Sequence, residues 1–221
     1  DEPALWAQWY HDHRDTFVLP VVPPVRPGGG PVAEGGTFAP QKPLFYGIPL
    51  ESESIVFVID CSGSMQASAS AEEGVDNATD TRLSRAAREL IAAVEGLEDG
   101  ARVNIVYFES AVGAWHKRMQ ALDGTTRRQP EGFVRRQQPE GATNLCDALE
   151  AALTQKGAEE IVVLSDGEPT AGKFQDTSSI LAQVADLNRR RQMRIHCVAL
   201  GGANTLLHRL TVMHDGEYVE K

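Results

Sequence analysis

The sequence predicts an α/β domain, a doubly wound, Rossmann-like, mainly parallel six-stranded sheet with helices on both faces. Short β-branched runs that are apolar on both faces, as buried parallel strands require, alternate with segments whose apolar residues recur at helical spacing, and the loops between them are short. The chain has 221 residues, 42% of them hydrophobic, enough for one sizeable core. Its apolar runs, Ile55–Ile59 among the longest, are far too short to span a bilayer. A formal net charge of −10 disfavours nucleic acid as a partner.

The elements follow in order. Residues 1–50 carry nine of the twelve prolines and the run Gly28-Gly29-Gly30, so they read as an N-terminal extension that cannot hold a continuous hydrogen-bond ladder. Within it, Leu5, Trp6, Trp9, Tyr10 and His13 share one helical face and predict a short helix over 5–14. Phe45–Leu50 is an extended piece feeding the domain that occupies 51–221. Ile55–Ile59 is its first strand. Leu83, Ala86, Ala87, Leu90, Ile91, Val94 and Leu97 form an amphipathic helix ending near Gly100. Val103–Phe108 is the second strand and Ala111–Trp115 its hairpin partner. Thr125–Gln137 is polar and helical, and Asn144–Leu153 is amphipathic. Ile161–Leu164 is a strand, Ser179–Arg191 a helix, Arg194–Leu200 a strand, Leu206–Met213 a helix and Glu217–Val219 a closing edge strand.

In such sheets ligands bind beyond the carboxyl ends of the strands, where the strand order reverses. The first strand runs into Asp60-Cys61-Ser62-Gly63-Ser64-Met65. Ile161–Leu164 runs into Ser165-Asp166-Gly167, and Gly141-Ala142-Thr143-Asn144 opens a helix between them. Asp60, Ser62, Ser64, Thr143 and Asp166 are all hard oxygen donors, suited to Mg²⁺, with Mn²⁺ or Ca²⁺ as alternatives. Only two of the five are anionic. A divalent ion held mostly by neutral hydroxyls stays electrophilic and leaves a position for an acidic oxygen from another molecule. Singly, each residue reads as a helix or turn cap; jointly, at strand ends and in this order, they read as a metal set. Asn144, Glu168 and Thr170 are candidate rim contacts.

Asp60-x-Ser62-x-Ser64, Thr143 and Asp166-Gly167 resemble the metal-ion-dependent adhesion site of a von Willebrand factor type A domain. The resemblance covers roughly residues 54–220, including Gly216-Glu217-Tyr218-Val219 as the last strand. It implies a sheet in order 3-2-1-4-5-6 with the Asp60 and Asp166 strands adjacent, two serines and a threonine at or near the ion, and an aspartate pair acting largely through water. It also implies a non-enzymatic, adhesion-type module whose partner is a protein presenting Glu or Asp. Members that switch affinity carry a mobile helix after the last strand; the chain stops at Lys221, and the 5–14 helix is expected to fill that groove. The loop Gln66–Asp80 carries Glu72, Glu73, Asp76 and Asp80 without a Lys or Arg, and would rim the site.

Two other functional classes are compatible with the motif. One is a partner-coupling subunit of an ATP-driven complex. The other is a metal-assisted hydrolase, ranked last because no general base or Gly-x-Ser-x-Gly elbow accompanies the set. Gly167–Lys173 fits a phosphate-loop pattern, but Phe174 stands where a Ser or Thr is needed and Pro169 lacks an N–H, so it is set aside. His11-Asp12-His13 with Asp15 reads as a solvated segment and His196 as a satisfied core residue. Arg127, Arg128, Arg135, Arg136 and Arg189–Arg191 read as solvated basic faces, and Asn77-Ala78-Thr79 as a sequon with nothing to support its use. Cys61, Cys146 and Cys197 are too few for a disulfide framework; Cys197 reads as a buried hydrophobe, and a Cys61–Cys146 bridge is less expected than two free thiols. The Pro-rich extension and the missing initiator Met point to a processed chain with an extracellular, periplasmic or cell-surface placement, with the cytoplasm as the alternative.

Overall fold

Strand β3 (Ser54–Asp60) is buried at every position and lies between two parallel neighbours, so it needs apolar side chains on both faces. The structure is a computed structural model that describes residues 42–69 and 80–221. Ahead of β3 come β1 (Leu44–Phe45) and β2 (Ile48–Pro49); after it come β4 (Arg102–Phe108), β5 (Val112–Ala114), β6 (Gln120–Ala121), β7 (Glu160–Ser165), β8 (Arg194–Ala199) and β9 (Tyr218–Glu220). The large sheet runs β5-β4-β3-β7-β8-β9, and β6 also pairs with β4. Within this sheet, apart from antiparallel β5 and β6, every pairing is parallel. Leaving β6 aside, this is the order 3-2-1-4-5-6. The reversal at β3 therefore falls where the sequence places it, with β7 beside it.

The pleat of β3 sorts its side chains into two cores. Ile55, Phe57 and Ile59 pack with Leu83, Ala87, Leu90 and Val94 of α1 (Arg82–Gly96) on one face. Val56 and Val58 pack on the other with α3 (Leu145–Leu153), α4 (Thr177–Asn188) and α5 (Thr205–Met213). Short α2 (Gln129–Val134), preceded by a 3₁₀ turn at Thr126–Arg128, is all that the Thr125–Gln137 stretch forms. The caps explain the observed starts and stops. Thr81, Asn144, Asp176 and Asn204 each accept a backbone N–H in the first turn of their helix. Asn188 closes α4 by bonding both the N–H and the C=O of Met193, which stops the helix three residues short of Arg191.

Four differences from the sequence reading have physical causes. Phe45–Leu50 is a hairpin, not a single extended piece. Its Tyr46-Gly47 turn has φ of 52° and 93°, the double left-handed geometry of a tight two-residue connection. Phe45 and Ile48 are fully buried, and the Phe45 ring packs 5.4 Å from that of Phe57, so residues 42–50 belong to the folded unit despite their prolines. β6 is a seventh strand, held where the Leu122 N–H donates to Ala101 O at 2.7 Å. Arg127 and Arg191 are not simply solvated. Arg127 Nη1 donates to Val94 O at 2.8 Å and Leu97 O at 2.6 Å, closing the end of α1. Arg191 does the same beyond α3, giving Nη2 to Gln155 O at 2.6 Å and Ala158 O at 3.0 Å, and Nη1 to Leu153 O. Finally, His196 is only half satisfied. Its Nδ1 accepts the Glu217 N–H at 3.0 Å, while Nε2 has no partner and lies 3.7 Å from the equally unpartnered Glu160 Oε1.

The cysteines are all free and buried. The expected 5–14 helix, the His11–Asp15 segment and the Asn77 sequon lie outside the described residues. Among the described residues no helix is long and apolar enough to cross a membrane.

Arg191→Ala should destabilise the fold by about 1–3 kcal/mol in denaturant unfolding, because three carbonyls lose a charged donor. Arg189→Ala, which removes a surface pair with the comparably exposed Asp186, should stay within about 0.5 kcal/mol. Burial, then the nearby Arg194 charge, pushes the His196 imidazole down to about 4. The unfolded chain therefore takes up the proton first, and stability should fall by about 2 kcal/mol from pH 7 to pH 5 through this group. Glu160, raised by burial, pulls the opposite way. Unfolding measured across that range in parallel with His196→Asn, whose Oδ1 can replace Nδ1, isolates the histidine part as the slope the variant lacks.

Candidate metal-ion and partner-binding site

Asp60 ends the central strand and is fully buried. Its Oδ1 accepts the Ser62 N–H at 2.8 Å and its Oδ2 accepts the Ser165 hydroxyl at 2.5 Å. Burial pushes this carboxyl above the ordinary range. The Ser165 and Ser62 bonds act against that rise, and the neighbouring Asp166 charge adds to it. Ser165 is the last residue of β7, so one bond locks the ends of the two switch-point strands together.

The loop after Asp60 is stitched to the loops beside it. Cys61 N donates to Phe108 O at 2.7 Å, Glu140 N donates to Cys61 O at 3.0 Å, and Gly63 N donates to Gly141 O at 3.2 Å. Gly141 has φ +71°, and a Cβ there would stand 2.5 Å from both Glu109 Oε2 and Ser110 Oγ. These ties bring the Ser62–Ser64 loop against the turn that carries Thr143. Cys61 contributes its backbone alone; burial pushes its thiol up to about 12, so it is neither nucleophile nor ligand at neutral pH.

The hydroxyls of Ser62 and Ser64 are 3.1 Å apart, and Ser64 Oγ donates to Asp166 Oδ1 at 2.6 Å. The other oxygen of Asp166 accepts Arg82 Nη1 at 2.7 Å. Thr143 is buried with its backbone fully engaged. Its N–H goes to Thr170 Oγ1 at 2.9 Å, and its C=O takes Thr170 N at 3.0 Å and Ala171 N at 3.3 Å. Its hydroxyl makes no hydrogen bond to another described residue, which leaves it free as a donor atom for an ion.

Four of the five candidate ligands are thus linked through hydrogen bonds, and the fifth is held by the loop clasped to theirs. The donor chemistry fits a small, hard divalent cation, since all the atoms are oxygens and three are neutral. Among the described residues no group of three or more His, Cys, Asp or Glu side chains is placed to hold a metal, so an ion would depend on these hydroxyls.

The rim residues differ in availability. Glu168 is exposed. Thr170 spends its hydroxyl bracing Thr143 from behind. Asn144 is buried and caps α3, donating Nδ2 to Asp147 Oδ2 at 3.0 Å and Ser110 O at 3.3 Å. Of the acidic loop, residues 70–79 lie outside the described part, and Asp80 turns to Arg88 Nη2 at 2.5 Å. Lys173 turns to Glu150 Oε2 at 3.8 Å and lies over the Phe174 ring, so the phosphate-loop pattern builds no cradle around it.

Sequence reasoning missed Ser165, Arg82 and Glu109. Ser165 had a signal, a hydroxyl immediately before the strand-end aspartate. Arg82 had a weaker one, a cation opening a helix whose first turn has no acid. Glu109, whose C=O accepts the Asn144 N–H at 2.9 Å, comes beside the Thr143 turn because β4 pairs in register with β3, which no local pattern reveals.

Residues 53–219 match the family model of the von Willebrand factor type A domain. The chain is 22% identical over 148 residues to human inter-alpha-trypsin inhibitor heavy chain H3, and 28% identical over 152 residues to heavy chain H1 of Mesocricetus auratus. These matches cover 62% and 63% of the chain but only 15% of each relative's length. Among solved structures, a von Willebrand factor type A protein from Catenulispora acidiphila superposes with a TM-score of 0.62 at 20% identity, over 79% of this chain and 40% of that one. The vWF domain of the type V pili tip protein Mfa5 from Porphyromonas gingivalis gives 0.53 at 12% identity, over 76% of this chain and 88% of that one. Identities this low show the fold alone.

Ser165→Ala should cost about 1–3 kcal/mol in urea unfolding, because a buried carboxylate oxygen loses its donor. Ser165→Thr, which keeps a hydroxyl, should cost clearly less; equal losses would mean that the Asp60 bond does not hold the strand ends.

Proposed function

Because this chain belongs to the von Willebrand factor type A family and gathers three neutral hydroxyls beside two committed carboxylates at its switch point, we propose that it is a non-enzymatic, metal-dependent protein-binding module. Ser62, Ser64 and Thr143 would hold Mg²⁺, with Mn²⁺ or Ca²⁺ able to substitute, while Asp60 and Asp166 orient the hydroxyls. When bound, the ion supplies an electrophilic position that takes a Glu or Asp oxygen of a partner protein. Glu168, exposed at the rim, would help discriminate among partners.

The observation that carries this reading is the Ser62–Ser64–Asp166 chain beside the unbonded Thr143 hydroxyl. The same bonds argue against hydrolysis. Asp60 is occupied by two donors and Asp166 by Ser64 and Arg82, so neither carboxylate is free to take a proton from a substrate. An adhesive role at a cell surface draws support from fold neighbours described as a pilus tip protein and as a pilus adhesin, the latter SpaC of Lactobacillus rhamnosus GG, at a TM-score of 0.54.

Mg²⁺ and Mn²⁺ titrations followed by thermal unfolding test the proposal on the wild type and Thr143→Ala. An ion at a hundred times its dissociation constant should stabilise the wild type by about 2.7 kcal/mol, and the variant should lose most of that gain. A response of equal size in both proteins, or in neither, overturns the assignment.

A further inference from the structure

The geometry points to Arg82 as an internal counter-cation of Asp166 that weakens divalent-ion binding and so sets the concentration at which the site fills. This inference rests on the metal-binding reading above. Arg82 Nη1 lies 2.7 Å from Asp166 Oδ2, with the Asp166 side chain fully shielded from solvent and that of Arg82 26% exposed. Such a pair is screened far less by salt than a surface pair. Ser64 holds the other carboxylate oxygen at 2.6 Å, so both oxygens of Asp166 are engaged before any ion arrives.

Two independent features show that the guanidinium is placed there rather than merely tolerated. Arg82 is the first residue of α1, whose opening turn carries no acid, and a cation at that end faces the positive pole of the helix dipole. Helix stability therefore does not account for it. In addition, Gly201 has φ +78°, and a Cβ on it would stand 2.3 Å from Arg82 Nη2. A side chain at that position of the strand-end loop after β8 would make the end of this arginine shift, so the glycine keeps its present placement open.

The consequence is a matter of charge. Asp60 and Asp166 alone would offer an ion two negative charges; with Arg82 against Asp166 the set carries one. An incoming divalent ion must share Asp166 with a guanidinium a few ångströms away, and in a partly shielded site that repulsion is worth a tenfold change in affinity or more. A site tuned in this way holds its loop together without metal and fills only when the ion is abundant or a partner carboxylate adds its own charge.

The test is isothermal titration calorimetry with Mg²⁺ and with Mn²⁺, together with metal-free thermal unfolding, on the wild type, Arg82→Ala and Arg82→Lys. The expected result has opposite signs in the two readouts. Arg82→Ala melts lower without metal, binds Mg²⁺ about tenfold more tightly or better, and recovers its melting temperature at saturating Mg²⁺. Arg82→Lys, which keeps the charge, stays near wild-type affinity. Should Arg82→Ala not fold, Arg82→Gln retains a donor for Asp166 without the charge and should tighten binding likewise. Binding that is unchanged or weaker on loss of the charge, while the wild type still binds, would show Arg82 to be only a structural prop and would leave the metal reading standing. The absence of both heat and a melting shift in every one of these proteins would overturn the metal reading, and this inference with it.

Discussion

A carboxylate buried at the end of the central strand is the constraint around which the domain's upper face is organised. A desolvated Asp60 is tolerable only if both of its oxygens have donors. One comes from the next turn of its own loop, the Ser62 N–H, and the other from the last residue of the adjacent strand, the Ser165 hydroxyl. The first bond folds Ser62 and Ser64 back over the strand end. The second fixes β7 against β3 at the point where Asp166 leaves the sheet. The positions of both hydroxyls and of the second carboxylate thus follow from how one buried charge is satisfied.

Much of this was legible in the chain because the signals were local. Period-two and period-3.6 patterns locate the strands and long helices, and they put Asp60-x-Ser62-x-Ser64 and Asp166 at strand ends and Thr143 at a helix start. What was not legible depended on distant partners. The prolines of 40–50 suggest a tether, yet Phe45 and Ile48 bury themselves beside α1 on the same face of β3, and a Tyr-Gly turn makes the hairpin possible. Gln120–Ala121 has no strand signature, because the edge of β4 recruits it. Arg127 and Arg191 sit in runs that look like solvated faces, but each reaches the end of a helix some 30 residues or more away in sequence. Charged residues in a polar run are ambiguous by composition, and only the fold shows which of them closes a helix.

The two clasps matter beyond their own stabilisation. α1 and α3 both begin at the candidate site, at Arg82 and at Asn144, and both are closed at the far end by an arginine from another element. Their first turns carry the Asp166 partner and the Thr143 turn. Closing the far ends satisfies carbonyls that would otherwise lack partners and holds the last turns of the two helices that open at the site.

Charge decides what kind of recognition such a site can support. With a net charge of −10, the chain does not attract an acidic partner from a distance. At physiological ionic strength fields from exposed charges fade within about 8 Å, so the repulsion is short-ranged as well. In the proposed module, attraction therefore arises only at contact, where an ion held by neutral hydroxyls retains positive charge and the surrounding acids no longer outweigh it. Three neutral donors, two carboxylates already occupied, and an arginine taking part of Asp166 all move the balance the same way, toward an ion that binds less tightly and draws an outside carboxylate more strongly. An all-carboxylate cage would reverse both effects. It would hold the metal firmly and leave it nothing with which to bind a partner.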